Sequence, residues 1–435
     1  MRYRYSPYRA ALFIVMPLAV LLVGIGIVAT APWRPADLRF LMLPVACAAL
    51  GPVLAAFALQ IVAPGFDRVL VAAAGVLLGI GLTFQAVLAT SAAGVDEFFV
   101  ATLTRQGYFI GGGFLVLAAG AWSARWVGYL RRIPLTLLTG ALVLTTTTAL
   151  FGSEINGARL WLDIGPIQFQ PSEIGRLLIA GFVAVYLHER RHLIGGSWLL
   201  GGLTLPPLPY LVPLGIAVAV ALAALFFQND LGMASLIALS VVAIVLGAGG
   251  NRWMTVLTLA SVGVAAVASY LAVGRVRDRV VGWINPWNDP AGRGFQFIQS
   301  EFAVAGGGVA GRLGDDNAQN IPEVHTDFVL AGIGGEFGIV IAVAVLAVTG
   351  LLLCRCILAG LRTDDGLEAL FALSIAALMG IQVLLIAGGT LRVLPLTGLT
   401  FPLVSYGGTS MLVTMLALGI VVGIGARARR KEGVG

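Results

Sequence analysis

The sequence predicts an all-α, polytopic membrane protein of about twelve transmembrane helices with one large extracytoplasmic loop. Composition gives the first sign: of 435 residues, 59% are hydrophobic and only 11% charged, where a soluble domain carries about 25% charged. The second is that apolar stretches of about 18 or more residues recur along the chain, each long enough for a helix to cross a bilayer. The third is the lack of the short alternating segments that a transmembrane β-barrel requires.

The elements follow in order. The chain opens on the basic stretch MRYRYSPYRA, followed by an apolar run over 11–29. That run exceeds the ~7–15 residues of a signal-peptide core, so it reads as an uncleaved first helix. Further runs fall at 38–62, 68–91, 107–122, 134–151, 171–187, 207–227, 231–249 and 253–273, and then at 326–354, 366–388 and 401–425. Between the ninth and tenth runs lies the loop 274–325, whose stretch from Trp283 to Asp327 is too polar for a bilayer interior. No soluble domain, low-complexity linker or evident internal repeat separates the runs.

Charge sets the orientation. The chain has 27 basic and 21 acidic residues, for a net charge of +6, and its one lysine is Lys431. Placing the N-terminus in the cytoplasm puts most of the arginines on the inner side, including Arg2, Arg4, Arg9, Arg131, Arg132, Arg190, Arg191, Arg427, Arg429 and Arg430. This bias predicts both termini inside and the large loop outside. Scattered basic residues with no soluble basic domain argue against nucleic-acid binding. They suit anionic lipid or phosphate, which arginine can grip with two parallel hydrogen bonds. Three cysteines, Cys47, Cys354 and Cys356, with no CxxC pair, argue against a disulfide scaffold or a zinc site.

Four polar patches share the outer side. The first runs from Asn156-Gly157-Ala158-Arg159-Leu160-Trp161 into Gln170-Pro171-Ser172-Glu173 and Arg176. Pro171 marks a helix entry. Glu173 then falls in the first turn, where a carboxylate suits the helix dipole, and Arg176 follows at i+3 on the same face, where an unpaired charge in a span is costly. A Glu173–Arg176 pair facing a cavity is expected; a plain capping role for Glu173 is the alternative. The second patch, Gln228-Asn229-Asp230-Leu231-Gly232, is a turn in which Asp230 can cap the next helix. The third is the large loop. The fourth runs from Arg392 through Leu394-Pro395-Leu396-Thr397-Gly398 to Phe401-Pro402 and Ser405-Tyr406-Gly407-Gly408-Thr409-Ser410. Its prolines and glycines predict broken or re-entrant helix, which membrane depth tolerates only inside protein or beside a cavity.

Taken together, these stretches resemble the SEDS family, the shape, elongation, division and sporulation proteins such as RodA, FtsW and SpoVE. The marks are NGARxW, QPSE, DLG, WxxPWxDPxGxGxQxxQS, GGGxxGxxxG, PExHTDF, LPLTG and PLVSYGGTS, in that order between about Gly152 and Gly425. The sequence departs from the common pattern at Arg176, Asn229, Gly335, Ile386 and Arg392. Family members usually have ten spans, so the resemblance implies a core over 152–425. Two extra spans then lie within the N-terminal helices 1–151, and a basic cytoplasmic tail occupies 426–435. It also implies a bacterial cytoplasmic-membrane protein that polymerises lipid II into glycan strands, an inverting hexosyl transfer that releases undecaprenyl pyrophosphate. The partner it implies is a class B penicillin-binding transpeptidase. Elongation, division and sporulation roles stay open.

By motif, the family's essential loop aspartate falls on Asp289. Glycosyl transfer needs a base for the acceptor hydroxyl and positive charge for the departing pyrophosphate. Asp289 is edged by Trp283, Ile284 and Trp287, a partly apolar setting that suits a base. A turn-starting Asp-Pro is the plainer reading. Glu173, Arg159, Arg176, Arg293, Arg392 and Ser405 are the candidate substrate and pyrophosphate contacts. Pro290, Gly292, Gln299, His325 and Asp327 are assigned to loop structure. A divalent cation, Mg or Mn, at the substrate diphosphate is compatible with this chemistry, although no metal-ligand spacing is visible. Two rival functions stay open: a lipid II flippase, and a non-catalytic scaffold for the transpeptidase.

Overall fold

The computed structural model describes residues 35–91, 94–155, 158–165, 167–194, 198–200, 203–205, 208–249, 252–314 and 318–432. The expected first span, 11–29, lies outside these. Every later apolar run contains a helix. They are α1 (Pro35–Val62), α2 (Arg68–Leu88), α3 (Glu97–Ser123), α4 (Pro134–Phe151), α5 (Pro171–Ile194), α6 (Leu208–Phe227), α7 (Leu231–Gly247) and α8 (Arg252–Ala272). The large loop contributes α9 (Gly274–Ile284), α10 (Phe295–Gly307) and α11 (Val329–Glu336), and the chain closes with α12 (Gly338–Leu361), α13 (Gly366–Thr390) and α14 (Gly408–Glu432).

Among the described residues, seven helices are long and apolar enough to cross a membrane: α1 from Leu43, and α2, α3, α4, α12, α13 and α14. The apolar helices α6 and α7 are shorter, and α8 meets α9 at a bend of 101°. Helix α5 has the length, at 24 residues, but carries Glu173, Arg176, Glu189, Arg190 and Arg191. The protein is a multi-pass helical membrane protein.

Local chemistry sets the helix starts. Asp67, Asp96, Asp230 and Asp365 each sit at an N-cap and accept backbone N–H groups of the first turn, satisfying donors that the helix leaves open. Pro134 and Pro171 begin α4 and α5, where a missing N–H costs nothing. The tenth apolar run does not form one span. It breaks at Phe337, and the long helix runs from Gly338 to Leu361 instead of 326 to 354. Gly338 has φ +83°, and a Cβ there would lie 2.3 Å from the Val309 carbonyl oxygen. The loop segment after α10 therefore presses into the break and sets apart the short buried helix α11.

The bundle is organised around α14 and α2, the most buried spans, while α1, α4 and α12 turn wide faces outward. Helices α3 and α14 touch at backbone distance. A Cβ on Gly419 would lie 2.1 Å from the Leu117 carbonyl oxygen, and one on Gly120 2.4 Å from that of Leu416. Without a water-driven force between helices in lipid, such close packing is a main source of association. Asp67 holds both Arg355 of α12 and Arg429 of α14, Glu368 holds Arg427, and Asp365 holds Arg131.

Short antiparallel hairpins join some helices. The strands β1 (Thr90–Ser91) and β2 (Gly94–Val95) pair, and β3 (Ser153–Ile155), β4 (Ala158–Ile164) and β5 (Ile167–Phe169) form a three-stranded ribbon. Between α5 and α6, β6 (Trp198–Leu200) pairs with β7 (Leu203–Leu205). The ribbon is tied to the start of α14, because Thr409 Oγ1 accepts from Gln170 N at 3.2 Å and donates to Gln168 O at 3.3 Å.

Candidate functional site

Helices α6, α7 and α8 do not close against one another. They leave an apolar groove of about 970 Å³, lined by Leu222, Ala234, Ala238, Val245, Leu257 and Val262 among others. The exposed rim residues Val212 and Leu257 open it sideways. At its outer end it meets α9 and the Pro395-Leu396-Thr397 segment. Among the described residues, Arg279 is the one charged residue in its lining.

Arg279 is held there by backbone. Its Nη1 donates to the Leu396 and Thr397 carbonyl oxygens at 3.4 and 3.2 Å. The segment it holds rests on the start of α7, where a Cβ on Gly232 would lie 2.3 Å from Thr397 O. Asp327 comes to the same point, since the Cβ position of Gly398 is 3.4 Å from Asp327 Oδ2 and 3.5 Å from Arg279 Nη2. Burial pushes the Asp327 carboxyl up to about 7, with Glu323 adding to the rise and Thr326 and Arg279 opposing it. In the α6–α7 turn, burial likewise raises Asp230 to about 6. Asp230 Oδ1 caps α7 through Met233 N at 3.0 Å.

Glu173 and Arg176 are only 3% and 5% exposed. Arg176 Nη2 lies 2.6 Å from Glu173 Oε2. The guanidinium also donates to Gln382 Oε1 at 2.8 Å and Thr414 Oγ1 at 3.4 Å, and Gln382 donates onward to Thr400 O at 2.6 Å. The pair thus joins α5, α13 and α14 beneath the outer loops. Beside Arg176, between α5, α13 and α14, lies a void of about 20 Å³.

Asp289 ends a one-turn 3₁₀ segment, Pro286–Asn288, directly after α9. Its carbonyl accepts from Gly292 and Gly294 N, and its Oδ2 accepts from Arg293 N at 3.1 Å. Gly292 leaves room for the carboxylate, as a Cβ there would fall 2.5 Å from Oδ2. The apolar neighbours do not enclose the group: Ile284, Trp287, Asp289 and Pro290 are all exposed. Arg293 points to Asp278 at 3.2 Å. Arg392 pairs with Glu301 of α10 at 2.9 Å, and its carbonyl accepts from Trp283 Nε1 at 2.9 Å. Gln299 lies half-buried on α10.

Ser405 Oγ donates to Thr326 O at 2.5 Å and accepts from Phe401 N at 2.8 Å. The His325 carbonyl accepts from Tyr406 N and Gln85 Nε2. Arg159 lies apart from these groups, paired with Glu154 at 3.4 Å on the exposed ribbon. The structure therefore gathers the sequence candidates into a buried pair, a loop centred on Asp289, and an anchor around Ser405. The groove escaped sequence reasoning. In sequence Arg275, Arg277 and Arg279 alternate with other residues before the loop and read as a headgroup-facing junction, with steering of an anionic substrate as the alternative; nothing in the spacing shows that Arg279 alone enters the groove.

These features define a class: a multi-pass membrane protein with a polar loop region and an apolar groove between helices that ends against it. Comparison with known proteins narrows the class. The family model for the FtsW, RodA and SpoVE cell-cycle proteins matches residues 68–430, and the chain belongs to that family. Helix α1 lies before the matched region. The peptidoglycan glycosyltransferase RodA of Mycobacterium tuberculosis (strain ATCC 25618 / H37Rv) is 35% identical over 283 residues, 64% of this chain and 60% of that protein. The chain thus spans less than two thirds of the length of its mycobacterial relatives. A probable peptidoglycan glycosyltransferase FtsW of Geobacter metallireducens is 31% identical over 374 residues, 81% of this chain and 94% of that protein. Among solved structures, a peptidoglycan synthase complex that coordinates polymerization and crosslinking superposes with TM-score 0.67 and 30% identity, covering 84% of this chain and 98% of that one. The Thermus thermophilus rod shape determining protein RodA gives TM-score 0.59 at 25% identity, covering 83% and 97%.

Proposed function

We propose that the protein is a peptidoglycan glycosyltransferase that polymerises lipid II into glycan strands in the bacterial cytoplasmic membrane, with both termini inside. The observation that carries this is the groove. It is apolar along the bilayer and meets one arginine at its outer end, the arrangement a polyprenyl chain with an anionic head requires. The family and its glycosyltransferase relatives support the same reading.

The chemistry assigns work to this chain's own residues. Asp289 takes the proton of the acceptor sugar's hydroxyl as that oxygen attacks the donor's anomeric carbon. The bond from that carbon to the pyrophosphate oxygen breaks with inversion, and undecaprenyl pyrophosphate leaves with the electron pair. Arg279 meets the leaving charge at the groove mouth, with Arg293 and Arg392 on the loop above. The buried Glu173–Arg176 pair holds the helices beneath. Among the described residues no three His, Cys, Asp or Glu side chains group to hold a metal by themselves, so a divalent cation at the substrate diphosphate would take its ligands chiefly from the phosphates. No step is routed through a metal.

The test is glycan-chain formation from lipid II by purified protein in detergent. Asp289→Ala is expected to abolish it while leaving the melting temperature unchanged. Undiminished chain growth by that variant would exclude Asp289 as the base. The same assay separates the rivals, because a flippase does nothing measurable without a second compartment, and a scaffold makes no chains yet binds its transpeptidase. The synthase complex among the structural neighbours favours a class B penicillin-binding transpeptidase as partner. The inner ring of ion pairs around Asp67 favours a bundle closed to the cytoplasm over a transport path.

A further inference from the structure

A polymerase must hold two substrates, and the groove between α6, α7 and α8 accounts for one lipid. On the other side of Asp327 lies a feature that this chemistry leaves unused. The rings of Phe98, Phe99 and Tyr406 surround His325, with centroids 5.3, 5.9 and 6.0 Å from the imidazole. Phe98 and Phe99 also meet edge to face at 5.3 Å. Phe98 is 58% exposed, although it stands in the first turn of α3 on the outer side. Carboxylates frame it: Asp96 and Glu97 precede it and are exposed, and Glu323 Oε2 lies 4.0 Å from His325 Nε2.

The cluster is held firmly. The His325 carbonyl accepts from Tyr406 N at 2.8 Å and Gln85 Nε2 at 3.3 Å, while Asp96 fixes the first turn of α3 by accepting from Phe98 N and Phe99 N. Its place relative to the groove is set by the chain. His325 is two residues from Asp327, so the two lie no more than about 7 Å apart along the backbone. Asp327 stands against Gly398, where Arg279 also arrives. The chain therefore keeps the ring cluster close to Asp327 and to the segment that Arg279 reaches.

An exposed aromatic face with carboxylates and an imidazole at its rim matches a sugar ring, which is apolar on its C–H face and carries hydroxyl donors around its edge. We infer that the Phe98–Phe99–His325–Tyr406 cluster is a glycan subsite, on which a saccharide of the glycan strand rests during chain growth. This rests on the glycosyltransferase reading but concerns a different set of residues. Phe98 supplies the face, and Glu97 and Glu323 accept the hydroxyls.

The test uses the full-length protein in detergent and two readouts. One is the length distribution of glycan made from lipid II. The other is binding of a soluble, peptide-free tetrasaccharide of the same glycan, followed by saturation-transfer NMR. Phe98→Ala is expected to shorten the chains and to weaken tetrasaccharide binding roughly five- to tenfold, the scale of one aromatic contact. Phe98→Trp is expected to preserve both. Asp289→Ala is expected to make no chains yet bind the tetrasaccharide normally, which separates this subsite from the proposed base. Phe98→Ala with unchanged lengths and unchanged binding would overturn the inference. So would a Phe98→Trp protein as impaired as Phe98→Ala, since that pattern reports a fold defect and not a sugar contact. If no form of the protein made chains, the polymerase reading would fall, and loss of tetrasaccharide binding in Phe98→Ala alone would still uphold the subsite.

Discussion

Asp327 shows how burial turns a loop acid into a pH-sensitive group. Its carboxyl titrates near 7 in the folded chain because burial opposes ionisation more than Arg279 favours it. An unfolded aspartate titrates near 3.9. Between those values the folded state holds a proton that the unfolded state has lost, so stability falls as pH rises. The melting temperature is accordingly expected to drop between about pH 4 and pH 7, and Asp327→Asn to flatten that slope. An equally steep slope in the variant would show that the effect arises elsewhere. Asp230, near 6, contributes in the same direction over the lower part of the window. The Glu173–Arg176 pair is a different case. Its charges are matched within one helix, and Gln382 and Thr414 take the guanidinium's other protons. An arginine fork can make these contacts together, whereas a lysine at this position would present a single ammonium.

At the scale of elements, two means of association recur. One is close backbone approach, as between α3 and α14 at Gly120 and Gly419. The other is charge placed at helix ends. Asp67 does two jobs there. One carboxylate oxygen caps α2, and the other receives Arg355 and Arg429. Asp67→Ala removes both functions and is expected to cost roughly 2–4 kcal/mol, the sum of a cap and a charge-assisted hydrogen bond. Asp67→Asn keeps the cap and is expected to lose only part of this. Thermal unfolding of the two variants in detergent checks the division, and equal losses would refute it. The bend at Val273 matters for the site. Because α9 turns 101° from α8, it carries Arg279 to the groove mouth and delivers Asp289 a few residues later.

For the whole molecule, the groove between α6, α7 and α8 ends where Arg279 and the Pro395-Leu396-Thr397 segment meet. Filling the groove is the direct check. Ala238→Trp places a ring where α7 lines it and is expected to raise KM for lipid II about tenfold with little change in kcat, the pattern of lost uniform binding. An unchanged KM would show that the lipid is held elsewhere. Both Asp289 and the ring cluster stand outside this groove, so the variant leaves their chemistry intact.

The sequence alone determined that this is a helical membrane protein, where most of its apolar helices after residue 34 lie, and which stretches between them carry polar groups. Those properties follow from local composition: a run of apolar residues in lipid must form a helix to satisfy its own backbone. The pairing of Glu173 with Arg176 was also legible, because helix geometry places i and i+3 on one face. Tertiary structure decided the rest. It broke the 326–354 run at Gly338, where a neighbouring segment needs space, and left Asp289 exposed although aromatic residues adjoin it in sequence. It paired Arg392 with Glu301 and directed Arg279, alone among three similar arginines, into the groove. None of these depends on neighbours along the chain. Each is set by which helices meet and by the gap that α6, α7 and α8 leave between them.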